Sequence, residues 1–224
     1  LLPSFKIIDF CCKYKKKLIF TSTSEIYGKL NKVPFKEDSD RFLGSPQTNR
    51  WCYSTSKSLV EHYITASNKE NNLDFIIFRL FNVYGPGQDL SRRDQGLVSI
   101  YLSYIKEGNY LPVKGSLSRF RDLIYIDDVV DSIILLVKDV SHPNEIYNVG
   151  TGKARSFNDL ASLTFQALGL EPNISFIDTP FDIRDKYQYF TEASMRKLIT
   201  AGYAKSFHTL EEGVSDYVQN YLNS

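Results

Sequence analysis

At 224 residues the chain can bury a substantial core, as one large domain or two small ones. Hydrophobic residues make up 42%, charged residues 24%, and the net charge is +1, a balance that gives no reason to expect nucleic acid or an anionic membrane as the main partner. No run approaches the roughly 20 apolar residues of a membrane span and no signal-peptide pattern occurs, so a soluble, cytoplasmic protein is expected.

Cys11, Cys12 and Cys52 form neither a disulfide framework nor a zinc-ligand spacing. They read as buried small hydrophobes in a reducing compartment, and no metal is expected. The chain opens Leu1-Leu2-Pro3 and its one methionine is Met195, so the expectation is the later part of a longer chain.

Residues 4–16 place Phe5, Ile8, Cys11 and Cys12 at helical spacing, with lysines closing the run as a solvated C-terminus that complements the helix dipole. Lys17–Ser22 is a short apolar run suited to a buried parallel strand. It ends in Thr23-Ser24-Glu25-Ile26-Tyr27-Gly28. Residues 29–50, with Gly44, Pro34 and Pro46, read as a surface loop. A helix follows to about residue 68, carrying Tyr53 and Lys57 four apart and so one turn apart on one face. A cation beside a phenol favours phenolate, so Lys57 is expected to lower the pKa of Tyr53 toward that of a useful general base. Two snorkelling surface side chains are the competing reading.

Asp74–Leu80 is a second buried strand, leading into the turn Phe81-Asn82-Val83-Tyr84-Gly85-Pro86-Gly87. Strand, helix and strand in this order make a βαβ unit with a parallel sheet, whose functional groups gather beyond the strand C-termini. An amphipathic helix is expected over 96–107, a short strand over Tyr110–Gly115, and another over Leu123–Ile126. Asp127 and Asp128 sit where an N-cap is wanted for the helix that follows. Glu145–Gly150 is a strand ending in Gly150-Thr151-Gly152, a tight turn lacking the third glycine and lysine of a phosphate loop. Ser156-x-x-Asp159 and Thr209-x-x-Glu212 are capping boxes. His62, His142 and His208 are scattered singly, and none is assigned a catalytic or metal role.

Five segments taken together resemble the extended short-chain dehydrogenase/reductase family, the NAD-dependent epimerases and dehydratases of nucleotide sugars. They are Phe20–Gly28, Tyr53-x-x-x-Lys57, Arg79–Pro86, Arg119–Val129 and Tyr147–Gly152, in the family's order and across nearly the whole chain. The resemblance implies an α/β fold: a partial Rossmann-type, doubly wound parallel sheet with a smaller C-terminal α/β substrate domain. Residues 1–90 would be the C-terminal part of the NAD-binding domain and 91–224 mostly the substrate domain, with 120–160 returning to the Rossmann sheet.

The same resemblance implies roles. Tyr53 would take the proton from a sugar hydroxyl while hydride leaves C4 for NAD. Lys57 would hold the nicotinamide ribose, and Thr23 would hydrogen-bond the reacting oxygen. Ser22, Phe81 and Val83 join the cofactor site, and Ser24, Asn82 and Arg121 the substrate site, the last two on the diphosphate. Tyr187 and Tyr189 either close over the nucleotide or serve in packing. Glu25 either removes a C5 proton, as in dehydratases and sugar-acid decarboxylases, or hydrogen-bonds local backbone. The context Arg50-Trp51-x-Tyr53 resembles sugar-acid decarboxylases, whereas the segments Lys186–Ala193, Ala201–Tyr203 and Glu212–Val214 resemble heptose and hexose epimerases. Epimerisation, dehydration and decarboxylation therefore stay open, beside a non-catalytic remnant that only binds sugar nucleotide. The implied partners are a nucleotide-diphosphate sugar and, through the helix carrying Tyr53, a second copy as a homodimer; no nucleic acid and no membrane. The family's opening G-x-x-G-x-x-G does not occur in the sequence, so the segment as given is expected to bind NAD poorly.

Overall fold

The computed structural model describes residues 1–88, 98, 100, 101, 105, 111–114, 119–138, 144–177 and 188–222. In chain order its elements are α1 (Leu2–Tyr14), β1 (Leu18–Thr23), a 3-10 helix (Ser24–Tyr27), α2 (Arg50–Asn71), β2 (Phe75–Leu80) and β3 (Asn82–Tyr84). Then come β4 (Leu111–Lys114), β5 (Phe120–Tyr125), α3 (Ile126–Lys138), β6 (Glu145–Val149), β7 (Ala154–Ser156), α4 (Phe157–Ala167), β8 (Ile174–Ile177), α5 (Arg196–Thr200) and α6 (Leu210–Tyr217). The chain divides into two compact units. The first is Leu1–Phe81, Asp131–Val149 and Ala193–Ala204; the second is Asn82–Val130, Gly150–Glu192 and Lys205–Ser224.

The first unit holds a parallel sheet in the order β1-β2-β6. Its central strand carries the most continuous apolar run, Phe75-Ile76-Ile77-Phe78, and those side chains are all buried. Such a run suits a strand covered on both faces. Leu18, Phe75 and Ile77 form one core with Ile8 and Cys11 of α1 and Val60 and Ile64 of α2. At roughly 1.5–3 kcal/mol for each large aliphatic or aromatic side chain buried, this packing, more than helix propensity, holds α1 and α2 to the sheet. The register pairs Thr23 with Leu80 and Leu80 with Val149, so all three strands finish at one edge.

The second unit holds β3-β5-β7, in which β3 runs parallel and β7 antiparallel to β5, and the parallel pair β4-β8. Its core joins Tyr84, Leu123 and Tyr125 to Leu160 and Phe165 of α4 and Val214 and Tyr217 of α6. Of the helix expected over 96–107, residues 98, 100, 101 and 105 are helical, and Val98, Tyr101 and Ile105 are buried in this core at i, i+3 and i+7. The rest of that segment lies outside the described residues. Both capping boxes form, Ser156 with Asp159 and Thr209 with Glu212.

Two expectations need correction. Helix α3 starts at Ile126, so Asp127 and Asp128 fall within its first turn. Asp128 does not act as an N-cap: its buried carboxylate accepts hydrogen bonds from the His208 backbone N–H and pairs with the His208 ring, each at 2.9 Å. Cys11 is buried, but Cys52 is exposed on α2, because its position falls off the face that carries Trp51, Ser54 and Ser58 into the interior. No group of His, Cys, Asp and Glu among the described residues could hold a metal ion, and no described helix is long and apolar enough to cross a membrane.

Candidate active site

Strand β1 delivers Thr23 to the C-terminal edge of the first unit's sheet. Thr23 keeps an extended backbone and caps the 3-10 helix: its Oγ1 accepts the Glu25 N–H at 3.3 Å. The Thr23 side chain also favours the ionised form of the Tyr53 phenol. The helix closes at Gly28, whose φ is 61° and where a Cβ would lie 2.1 Å from the Phe42 carbonyl oxygen. Glycine is required there on both counts.

Lys57 does not do what the spacing suggests. Its ammonium donates to the Thr21 carbonyl at 2.7 Å and stands 4.8 Å from the centre of the Phe20 ring and 5.9 Å from that of Tyr53. Burial raises the Tyr53 phenol above its ordinary value; the Thr23 side chain draws it back in part, and the charge of Glu25 adds to the rise. The expected lowering by Lys57 is therefore not found. Lys57 itself is lowered by burial, against the opposing charge of Glu61. Glu25 faces Arg50 at 3.6 Å, with both side chains partly exposed, and the Arg50 guanidinium lies 5.6 Å from the centre of the Trp51 ring.

Beneath this edge runs a buried polar network absent from the sequence reading. Arg79, the one charged side chain in β2, donates from Nε and Nη2 to the two carboxylate oxygens of Glu61 on α2, at 3.2 and 2.8 Å. Its Nη1 donates to the Tyr27 hydroxyl at 2.9 Å and to the Glu37 carbonyl at 2.8 Å. Tyr27 donates onward to Asn148 Oδ1 at 2.7 Å, and Asn148 Nδ2 to the Phe35 carbonyl at 2.8 Å. A charge in an otherwise apolar central strand was the available signal, since burying one without a partner is costly.

A family model described as NAD dependent epimerase/dehydratase matches residues 3–150. The chain belongs to the NAD-dependent epimerase/dehydratase family. Among curated relatives of the family, the ADP-L-glycero-D-manno-heptose-6-epimerase of Fusobacterium nucleatum is 35% identical over 230 residues, covering 96% of this chain and 68% of that protein. The protein of the same name from Nitratidesulfovibrio vulgaris is 34% identical over 224 residues, covering 96% and 67%. Among solved structures, the UDP-glucose 4-epimerase of Thermotoga maritima with UDP-glucose matches with a TM-score of 0.84 at 27% identity, over 98% of this chain and 68% of that one. The UDP-N-acetylglucosamine 4-epimerase of Methanobrevibacter ruminantium shares the fold, with a TM-score of 0.86 at 24% identity, over 98% and 67%. The chain thus spans about two thirds of the length of these relatives. As a family member it is an NAD-dependent enzyme of the epimerase/dehydratase class on a Rossmann-type sheet.

The residues at the β1 terminus fit the nicotinamide-ribose end of NAD. Ser22 Oγ, one residue before Thr23, is buried without a hydrogen-bond partner. Lys57 uses one ammonium proton on Thr21, leaving two for hydroxyl acceptors. Phe81 is buried where it follows β2, its ring centre 6.5 Å from that of Phe35. Ser24, buried, opens the 3-10 helix.

The other family positions lie in the second unit. Asn82 opens β3 and donates from Nδ2 to the Asp122 carbonyl at 3.2 Å; Val83 pairs with Ile124. Arg121, on β5, donates from Nη1 to the Phe120 carbonyl at 2.8 Å and stands 5.7 Å from the centre of the Phe157 ring. Tyr189 lies beside β5, its carbonyl accepting the Phe120 N–H at 2.9 Å; Tyr187 is outside the described residues. Asp122, 0% exposed, accepts from the Thr151 N–H and Oγ1 at 2.7 Å each and from the Gly152 N–H at 2.9 Å. The Gly150-Thr151-Gly152 turn is therefore an anion nest filled by the chain's own carboxylate.

Proposed function

We propose that the chain is an NAD-dependent epimerase of nucleotide-diphosphate sugars in which Tyr53 is the base. The observation that carries this reading is Thr23 at the C-terminal end of β1, its Oγ1 held by the Glu25 N–H and its side chain favouring the ionised form of the Tyr53 phenol. Tyr53 takes the proton from the sugar hydroxyl at the carbon to be epimerised, C4 on a hexose or C6 on a heptose. The relatives named as ADP-heptose 6-epimerases and the UDP-glucose 4-epimerase neighbour support those two positions. Bound NAD would supply the hydride acceptor. A positioned base contributes roughly 10²–10⁴-fold, and a donor on the developing oxyanion, the role of Thr23, roughly 10²–10³-fold. Lys57 and Ser22 would hold the ribose and Phe81 and Val83 the nicotinamide. Ser24, Asn82, Arg121, Tyr187 and Tyr189 would bind the sugar nucleotide. Residues 1–90 would form the cofactor part and 91–224 mostly the substrate part. The reading includes a homodimer through α2, whose Leu59 and Tyr63 are exposed; sedimentation velocity measures it.

A second reading, elimination or decarboxylation with Glu25 as the carbon base, is favoured by the position of Glu25 two residues from Thr23. Its ion pair with Arg50 does not disable it, because partly exposed pairs contribute only about 0–1 kcal/mol. Mass analysis of the product sugar separates the readings. The proposal expects an unchanged mass with inverted stereochemistry, and Glu25→Gln retaining that activity. Loss of water or carbon dioxide, abolished in Glu25→Gln, establishes the second reading instead. Tight binding of sugar nucleotide with no turnover would leave only a binding role.

A further inference from the structure

We propose that Arg79 is a positioning residue for the Tyr53–Thr23 pair, acting through Glu61 and Tyr27. The proposal rests on Tyr53 being the base. Arg79 stands on the central strand of the first unit's sheet, in register with Ser22 on one side and Asn148 on the other. Arg79 is 4% exposed, and its guanidinium uses four donors on groups from separate elements. One of those elements is α2, held at Glu61, two helical turns beyond Tyr53 and about 12 Å along the axis at 1.5 Å per residue. Another is the 3-10 helix, held at its last residue, Tyr27, while Thr23 caps its first turn.

One planar group therefore holds α2 near its middle and the 3-10 helix at its last residue, while Tyr53 stands near the start of α2 and Thr23 caps the start of the 3-10 helix. Burial pushes the Tyr27 phenol up to about 12, so it stays protonated and can donate to Asn148 while accepting from Arg79. The phenol thereby carries the constraint from the guanidinium to β6. A single ammonium cannot reproduce it, because the bidentate bond to Glu61 and the bond to Tyr27 need a fixed fork. Stability alone gives little reason for such a group. Well-packed apolar side chains can replace a buried ion pair without loss, whereas orientation needs directional bonds.

The test compares Tyr27→Phe and Arg79→Lys with the wild type in kcat, KM for the sugar nucleotide, and the pH–rate profile, all corrected for folded fraction by circular dichroism. Tyr27→Phe removes one hydroxyl and keeps the Arg79–Glu61 bond, so it guards against a failure of Arg79→Lys to fold. Misplacing a reacting group by about 1 Å can cost as much as 10²-fold, so kcat is expected to fall about tenfold or more with KM nearly unchanged. The limb of the profile due to Tyr53 is expected to move as well. A merely structural role lowers the folded fraction and leaves both the profile and kcat per folded molecule unmoved, and that result overturns the proposal. Tyr53→Phe is run alongside. If it is inactive, wild-type behaviour of Tyr27→Phe overturns positioning alone. If it turns over normally, the base reading falls and positioning falls with it.

Discussion

Replacing Asp122 by Asn tests whether the turn after β6 is held by a buried charge. In the native chain both Thr151 donors converge on Oδ1, and the Gly152 N–H donates to Oδ2, at 2.7, 2.7 and 2.9 Å. Asn keeps one carbonyl oxygen, which can still serve Thr151, but sets an NH₂ donor against the Gly152 N–H. A buried donor left unpaired costs about 1–3 kcal/mol, and turning two charge-assisted bonds into neutral ones costs roughly another 1–2 kcal/mol. The expected loss is about 2–5 kcal/mol, read from urea unfolding as a lower midpoint at unchanged slope. Thr151→Val, which deletes only the hydroxyl, should cost about 1 kcal/mol. Stability of Asp122→Asn within about 0.5 kcal/mol of wild type would refute the reasoning, since that is the ordinary scale of a surface substitution.

Other substitutions test the remaining polar structure. Glu61→Leu leaves Arg79 buried without its carboxylate and should cost about 3–5 kcal/mol, whereas Glu61→Leu with Arg79→Met should cost less than that single change. A double-mutant cycle in denaturant checks it, and simple additivity would contradict a coupled pair. For His208, burial alone lowers the pKa, but the hydrogen bond and charge of Asp128, helped by Glu212 and Asp127, outweigh it and raise it. A raised histidine contributes stability fully below its unfolded value of about 6.5 and loses it as pH rises through the folded value. The stability difference between wild type and His208→Gln should therefore be larger at about pH 5.5 than at about pH 9; a difference independent of pH would sink this assignment.

What could be read without the structure was whatever depends on neighbours in the chain. The apolar runs of β1 and β2, the helix through Tyr53 and the two capping boxes follow from local pattern and local hydrogen bonding, and each is present. Thr23, Tyr53 and Lys57 became candidates only because five segments occur in a family's order, not from any one of them. What failed was tertiary. The Thr21 carbonyl, far from Lys57 in sequence, takes the ammonium that spacing alone assigns to Tyr53. A small shift in the start of α3 moved Asp128 from a presumed cap to a partner for His208. Asp122 and the turn it holds, like Arg79, Glu61, Tyr27 and Asn148, are separated by long stretches of chain, so only their types hinted at pairing.

The central claim is that Tyr53 takes the hydroxyl proton as hydride leaves the sugar. It is tested most directly by NADH absorbance in a single turnover of enzyme, NAD and nucleotide sugar, with sugar-nucleotide binding measured by calorimetry on the same samples. Because burial raises the Tyr53 phenol, the wild-type rate should climb with pH toward that raised value. Tyr53→Phe should bind the sugar nucleotide nearly as well and form no NADH; NADH formed by Tyr53→Phe at the wild-type rate would contradict the account.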